Sequence, residues 1–499
     1  MDTCPRNSEC RQFCQILDLL EGKVTTKNDE CSRLENEQYY DPNSVTNPEL
    51  AGRIADKLRQ TVELAEVIED NLAEKTSDLA VAHEVLGGVF ATRMELWQQY
   101  VQACRQDRRL TGLEVDYYAE QLVDATETAS KLIKSKGIAS ETLTYAQAMV
   151  DRQAIDTYGL MFDPDMCRTV TTLFADVNTG QSVLIIGDKG IAKTQVAKFV
   201  SASFSPDGKP RFISGDGSVM KDEFIGKTVL TEKNGASVTE FRPGILAECM
   251  RDGIPLIIDE INLIDPAIAM RLQDILLRKP GDVVIFQEDD TATPITIKRG
   301  FTIIATANEA SDRYQSRAVL DPAFRDRFDV MQVNYPDGVV PIVLRDPKHG
   351  KKVPQPSTLM RLAYANIISP SGIKNDRISI DDAAWLVKIS HASQQMYSKP
   401  SCDINGSLPG SASAKFVDQE QPPMKDCITP RKLVDIIKRV AGGLNPYDIE
   451  QGIRGVVLDT VAGMQHRSDR QMMFDLMLMM TDPAKIAFDE GAVKKALKI

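Results

Sequence analysis

The chain has 499 residues, 42% of them hydrophobic and 26% charged, and carries a formal net charge of −12. That length predicts roughly two to four domains, in a composition typical of soluble globular proteins. The acidic balance argues against a surface built to hold nucleic acid, and no uninterrupted apolar run approaches the ~18 residues that cross a membrane.

Residues 1–47 read as an irregular, polar N-terminal arm. Its start, Met1-Asp2-Thr3-Cys4-Pro5-Arg6-Asn7, has no apolar h-region, so no secretory leader is expected. The nine cysteines are dispersed and odd in number, which suits reduced thiols and a cytoplasmic setting. Cys4, Cys10, Cys14 and Cys31 crowd the arm, but they form no C-x-x-C pair and have no histidine nearby. They read as free thiols rather than as a zinc site.

From 48 to 150 the pattern is helical. Leu50, Ile54, Leu58, Val62, Ala65 and Ile68 recur at three- and four-residue steps between charged residues. Gly87-Gly88 and the stretch 105–112 interrupt the pattern, predicting about three long helices in a hairpin or bundle. Such a region serves either as a spacer or as a docking module for a partner.

Between 151 and 336 short apolar strands alternate with helical stretches, the signature of an α/β layer with a parallel sheet. Strands are predicted at 183–186, 211–213, 255–258, 301–305 and 330–333. Residues 337–499 turn mainly helical, broken by polar stretches at 337–355 and 398–425; the second is rich in Ser, Pro and Gly and reads as a loop insertion. Met472-Met473-Phe474-Asp475-Leu476-Met477-Leu478-Met479-Met480 reads as a packed helix or as an adaptable partner groove. His83, His349, His391 and His466 are scattered, which speaks against a metal-binding or catalytic histidine.

The chemistry concentrates in the α/β region. Val183-Leu184-Ile185-Ile186 leads into Gly187-Asp188-Lys189-Gly190-Ile191-Ala192-Lys193-Thr194. This is a buried strand, a glycine-bearing turn and a helix opened by a lysine and a hydroxyl residue. Successive backbone N–H groups and the positive helix end converge there on an anion. Lys193 is placed to reach the β- and γ-phosphates and Thr194 to hold Mg²⁺. Ala192 stands where this phosphate-loop pattern usually has a second glycine, a substitution tolerable if φ there is negative.

Leu256-Ile257-Ile258-Asp259-Glu260 is a second strand ending in adjacent carboxylates, about 70 residues further on. Asp259 suits Mg²⁺ and Glu260 suits polarising an attacking water. Phe301-Thr302-Ile303-Ile304-Ala305-Thr306-Ala307-Asn308 is a third, ending in an amide placed to orient the same water. Arg325 and Arg327 follow, on a short helix before the last strand. They serve either as surface ion-pair formers or, in a ring, as contacts to the γ-phosphate held by a neighbour.

This order of motifs resembles the AAA+ ATPases, and within them the MoxR-like, dynein-related group that includes CobS-type and magnesium-chelatase ATPase subunits. The resemblance runs from about 163 to 337 and resumes near Thr429. It implies an α/β P-loop core with a five-stranded parallel sheet, a helical lid and a separate N-terminal helical region. It maps Walker A onto Gly187 to Thr194, Walker B onto Asp259 and Glu260, and sensor 1 onto Asn308. The arginine finger maps onto Arg327, with Arg325 as the alternative. In Thr429-Pro430-Arg431, the threonine is expected to cap a lid helix, the proline to occupy its first turn and Arg431 to act as sensor 2. The stretches 222–226 and 241–246 resemble the group's insert in the second core helix, and 282–297 its β-hairpin before sensor 1. The resemblance further implies ATP and Mg²⁺ as cofactors and a homo-oligomeric, usually hexameric, ring.

Three functions are compatible with these residues. The first is an ATP-driven remodeller of a protein client, in the manner of MoxR-like ATPases working with a von Willebrand A-type partner. The second is a motor or loader acting on nucleic acid, which the acidic balance disfavours. The third is an ATP-binding scaffold with little turnover, which the intact Asp259, Glu260 and Asn308 disfavour.

Overall fold

Five parallel strands order the α/β region of this computed structural model. It describes residues 78–106, 140–215, 221–233, 236–289, 292–308, 320–336, 342–345, 352–355, 357–369, 374–375, 377–398, 424–443, 452–481 and 490–499. The arm 1–47 with its four cysteines, the periodic stretch 50–68, most of the expected break at 105–112 and most of the insertion at 398–425 lie outside these residues.

The first elements are α1 (Asp78–Arg105), α2 (Ser140–Tyr158), α3 (Pro164–Thr179), β1 (Val183–Gly187), α4 (Lys193–Phe204) and β2 (Arg211–Ser214). Next come α5 (Lys221–Phe224), β3 (Gly226–Lys233), β4 (Ala236–Pro243), α6 (Ile245–Asp252), β5 (Leu256–Asp259) and α7 (Pro266–Ile275). Then follow β6 (Val283–Val284), β7 (Ile295–Thr296), β8 (Ile303–Ala307), α8 (Pro322–Arg325) and β9 (Asp329–Val333). The last group is β10 (Ile342–Arg345), β11 (Lys352–Gln355), α9 (Thr358–Ile367), α10 (Ile380–Ser398), α11 (Pro430–Ala441), α12 (Ile453–Ala462), α13 (Arg467–Met480) and α14 (Glu490–Leu497).

The chain divides into two compact units. The first takes Met1–Leu143, Tyr158–Gly187 and Ala192–Val333; the second takes Thr144–Thr157, Asp188–Ile191 and Asn334–Ile499. The tip of the phosphate loop therefore belongs with the C-terminal helices, and the loop's two ends with the sheet.

In the first unit the sheet order is β2-β5-β8-β1-β9, every pairing parallel. Each of the five predicted strands is present, shifted by at most two residues at either end. Val183, Leu184 and Ile185 are fully buried, as are Leu256, Ile257 and Ile258. Helices cover both faces of these strands, so their apolar residues run on without alternating. Helix α3 begins where Asp163 accepts a bond from the Met166 N–H at 2.7 Å, has Pro164 in its first turn and stops at Gly180, at φ 70°.

Helix α1 runs unbroken through Gly87-Gly88, where the sequence predicts an interruption. Tertiary packing overrides the glycines, each of which costs only about 1 kcal/mol in a helix interior. Trp97 stacks against Phe162, Phe174 and Phe199 at 5.5–5.9 Å between centroids, and the Tyr100 hydroxyl donates to the Phe174 carbonyl at 3.0 Å. This helix is thus part of the first unit's own core rather than a separate spacer. A Cβ on Gly87 would meet nothing within 4 Å. Gly87→Ala is expected to stabilise the protein by about 0.5–1 kcal/mol, readable as a shift in the urea midpoint.

Two antiparallel ribbons interrupt the α/β alternation. Strands β3 and β4 pair over their whole length, from Gly226 opposite Pro243 to Lys233 opposite Ala236. Strand β6 pairs with β7 in the expected hairpin before β8. The Thr228 hydroxyl donates to the Glu288 carbonyl at 3.1 Å, fastening one ribbon to the other.

The second unit is mainly helical, although the polar stretch 337–355 also forms an antiparallel ribbon, β10 with β11. Its core joins Leu359, Leu386, Ile389, Leu433, Ile437 and Val457 to the methionine-rich helix α13, where Met472, Met473, Phe474, Leu476 and Met477 are buried. Those methionines are packing residues. Asp151, buried on α2, receives both Nε and Nη2 of Arg361 at 2.9 and 2.7 Å, a paired geometry suited to a buried charge.

Candidate active site

The site in the first unit lies at the carboxyl edge of the sheet, where open parallel sheets place their ligands. Register sets it. Ile186 lies beside Ala307 and Ile258 beside Ala305, so Gly187, Asp259 and Asn308 all emerge at one end. The Lys193 Nζ donates to the Gly187 carbonyl at 2.8 Å and to the Asn308 Oδ1 at 3.0 Å. The Thr194 hydroxyl donates to Asp259 Oδ1 at 2.8 Å, and the Asn308 amide donates to Glu260 Oε1 at 3.3 Å. Lys193 is buried, while Thr194, Asp259, Glu260 and Asn308 are half-buried. Two hard oxygen donors, Thr194 Oγ1 and Asp259 Oδ1, stand side by side, a set that suits Mg²⁺.

Thr306 is a site residue that the sequence analysis did not single out. Its hydroxyl donates to Asp259 Oδ1 and accepts the Glu260 N–H at 3.1 Å, so one buried side chain fixes both acidic residues. Only the pairing of β5 with β8 makes it visible.

Two backbones at the site are strained. Glu260 adopts φ 52° and ψ 50°, a left-handed conformation that costs a non-glycine residue roughly 1–3 kcal/mol and recurs at functional sites. Ala192 has φ 65° and ψ 18°. The negative φ that would make alanine easy to accommodate is not found, because the loop turns left-handed just before α4 begins. Ala192→Gly is therefore expected to stabilise the protein by about 1 kcal/mol. Chemical denaturation of the full chain checks this, and a fall in stability would contradict it.

The arginines differ in setting. Arg327 is half-buried and donates to the Gln273 carbonyl of its own chain, whereas Arg325, at the end of α8, is exposed.

In the second unit Thr429 caps α11 by accepting the Lys432 N–H at 3.2 Å, with Pro430 in the first turn and Arg431 exposed beside it. Asp188, Lys189, Gly190 and Ile191 belong here too. Gly190 sits at φ 79°, and a Cβ on it would lie 2.8 Å from the Thr429 side chain. Glycine is required at that position on both counts.

Sheet order, phosphate loop and strand-end carboxylates together define a P-loop module of the AAA+ class. Residues 182–328 match the family model of the AAA domain (dynein-related subfamily). It is 24% identical over 310 residues to midasin of Giardia intestinalis, a match covering 55% of this chain and 6% of that protein. It is 29% identical to the uncharacterized protein YojN of Bacillus subtilis, covering 32% of this chain and 49% of YojN. It is 24% identical to the aerobic cobaltochelatase subunit CobS of a Sinorhizobium species, covering 36% of this chain and 55% of CobS. The chain thus spans a small part of the midasin and about half of each of the other two. Among the described residues, no helix is long and apolar enough to cross a membrane.

Proposed function

We propose that this chain is a MoxR-like AAA+ ATPase that hydrolyses ATP in a homo-oligomeric ring, hexameric by family resemblance, to remodel or activate a protein partner. The observation that carries the proposal is the convergence of Lys193, Thr194, Asp259, Glu260 and Asn308 within one network of bonds of 2.8–3.3 Å. Residues 151–336 act as the ATPase core and 337–499 as its lid. Gly187 to Thr194 cradle the phosphates with backbone N–H groups and the Lys193 ammonium. Mg²⁺ is held by Thr194 and Asp259 and neutralises phosphate charge when bound. Glu260 accepts the proton of the attacking water, and Asn308 orients that water together with Glu260. Arg327 of a neighbouring copy stabilises charge on the transferred phosphoryl group, and Arg431 reads the γ-phosphate from the lid. The exposed setting of Arg325 favours it as the second reading for the trans arginine.

Similarity to CobS, itself a subunit of a larger enzyme by name, supports a protein partner, and the MoxR-like pattern points to one of the von Willebrand A type. The proposal is tested by Mg²⁺-dependent ATP hydrolysis measured against protein concentration. Turnover per chain is expected to rise steeply as copies assemble, and Lys193→Ala is expected to abolish nucleotide binding. Stimulation by DNA or RNA in place of a protein would establish the motor reading instead. Turnover independent of concentration down to isolated monomers would refute the shared site.

A further inference from the structure

The tip of the phosphate loop is held from outside by residues that no motif predicts. All of them lie in the second unit. The Lys189 Nζ bonds Asp426 Oδ1 at 2.7 Å, and the same carboxylate receives the Lys432 Nζ at 2.9 Å and the Cys427 N–H at 2.9 Å. The Tyr335 hydroxyl donates to the Lys189 carbonyl at 3.1 Å. The Tyr335 ring is itself anchored edge-on to the buried Tyr397, 6.2 Å between centroids. Burial works against a charged Asp426, but the bonds from Lys189 and Lys432 outweigh it and hold the carboxyl below its ordinary range. Burial also pushes the Tyr335 phenol far up, with Cys427 adding to the effect, so it stays a neutral donor.

One peptide plane is fixed by these bonds. A trans peptide is planar, and its carbonyl and the following N–H point to opposite sides. With the Lys189 carbonyl held by Tyr335, the Gly190 N–H is turned to the side opposite that hydroxyl. Gly190 cannot drift outward, because it lies against Thr429. An anion cradle of this kind depends on its N–H groups pointing inward before the ligand arrives.

We propose that Tyr335 and Asp426 are positioning residues for nucleotide phosphate, orienting the Lys189–Gly190 peptide so that the Gly190 N–H faces the phosphate chain. The inference rests on the proposed nucleotide site and adds to it a determinant of affinity from the second unit. Tyr335→Phe removes one hydroxyl and keeps the ring; Asp426→Asn keeps the shape and removes the charge. By calorimetry on the full chain, each is expected to weaken ATP and ADP binding by about tenfold, and the loss is expected to fall on KM more than on kcat. Asp426→Glu is expected to recover part of the affinity. Wild-type ATP affinity in Tyr335→Phe would overturn the proposal. So would a lowered thermal midpoint without any change in affinity, or failure of both variants to fold, since either assigns these residues a purely structural role. Failure of the unaltered protein to bind ATP would instead overturn the nucleotide site itself.

Discussion

Removing the trans arginine is expected to leave ATP bound and to lower turnover by roughly 10³–10⁵, the range for arginines supplied across an interface in phosphoryl transfer. Arg327→Ala and Arg325→Ala separate the two candidates. Arg327 precedes Phe328 as in the family pattern, yet its guanidinium is engaged by the Gln273 carbonyl of its own chain. To act on a neighbour's phosphate it must give up that bond, so assembly or nucleotide binding has to offset the loss. Arg325 is exposed and faces no such exchange. The measurement is steady-state ATP hydrolysis alongside equilibrium binding. A mixture of the inactive arginine variant with Glu260→Gln subunits is expected to regain some hydrolysis, because hybrid interfaces pair one intact glutamate with one intact arginine. Full turnover in both single variants would remove the trans-arginine mechanism.

Glu260→Gln is expected to keep ATP bound while lowering the hydrolytic step by about 10²–10⁴, the usual contribution of a positioned base. Glutamine has the same length and the same backbone demands, so the left-handed geometry held by Thr306 should survive. What disappears is the proton acceptor. Single-turnover hydrolysis with independently measured ATP affinity checks this directly. Hydrolysis at the wild-type rate would mean that another group accepts the proton. Because the trapped state retains nucleotide, whatever co-purifies with it under ATP also identifies the client.

The strand ends and helix starts of the candidate site were legible in the sequence because the preferences that form them are local. A run such as Val183 to Ile186 can only be buried, and a buried parallel strand must deliver its carboxyl end to one edge of the sheet. Asp259, Glu260 and Asn308 sit at such ends, so their convergence follows from strand identity alone. The same logic marks Thr429-Pro430 as a helix start, since capping depends on three neighbouring residues.

Other features were decided only by the tertiary structure. Gly87-Gly88 reads as a helix break, yet the aromatic packing around Trp97 outweighs two glycines whose cost is about 1 kcal/mol each. Nothing near Ala192 in sequence announces a positive φ; the turn between β1 and α4 imposes it. Thr306 acquires its importance from lying opposite Asp259, and Arg327 its restraint from a carbonyl 54 positions away. Lys189 and Asp426 are separated by 237 residues, so no periodicity or motif links them. Local sequence sets which residues a strand end or helix start presents, because those preferences act over a few bonds. Which distant group meets them is set by packing, which only the folded chain defines.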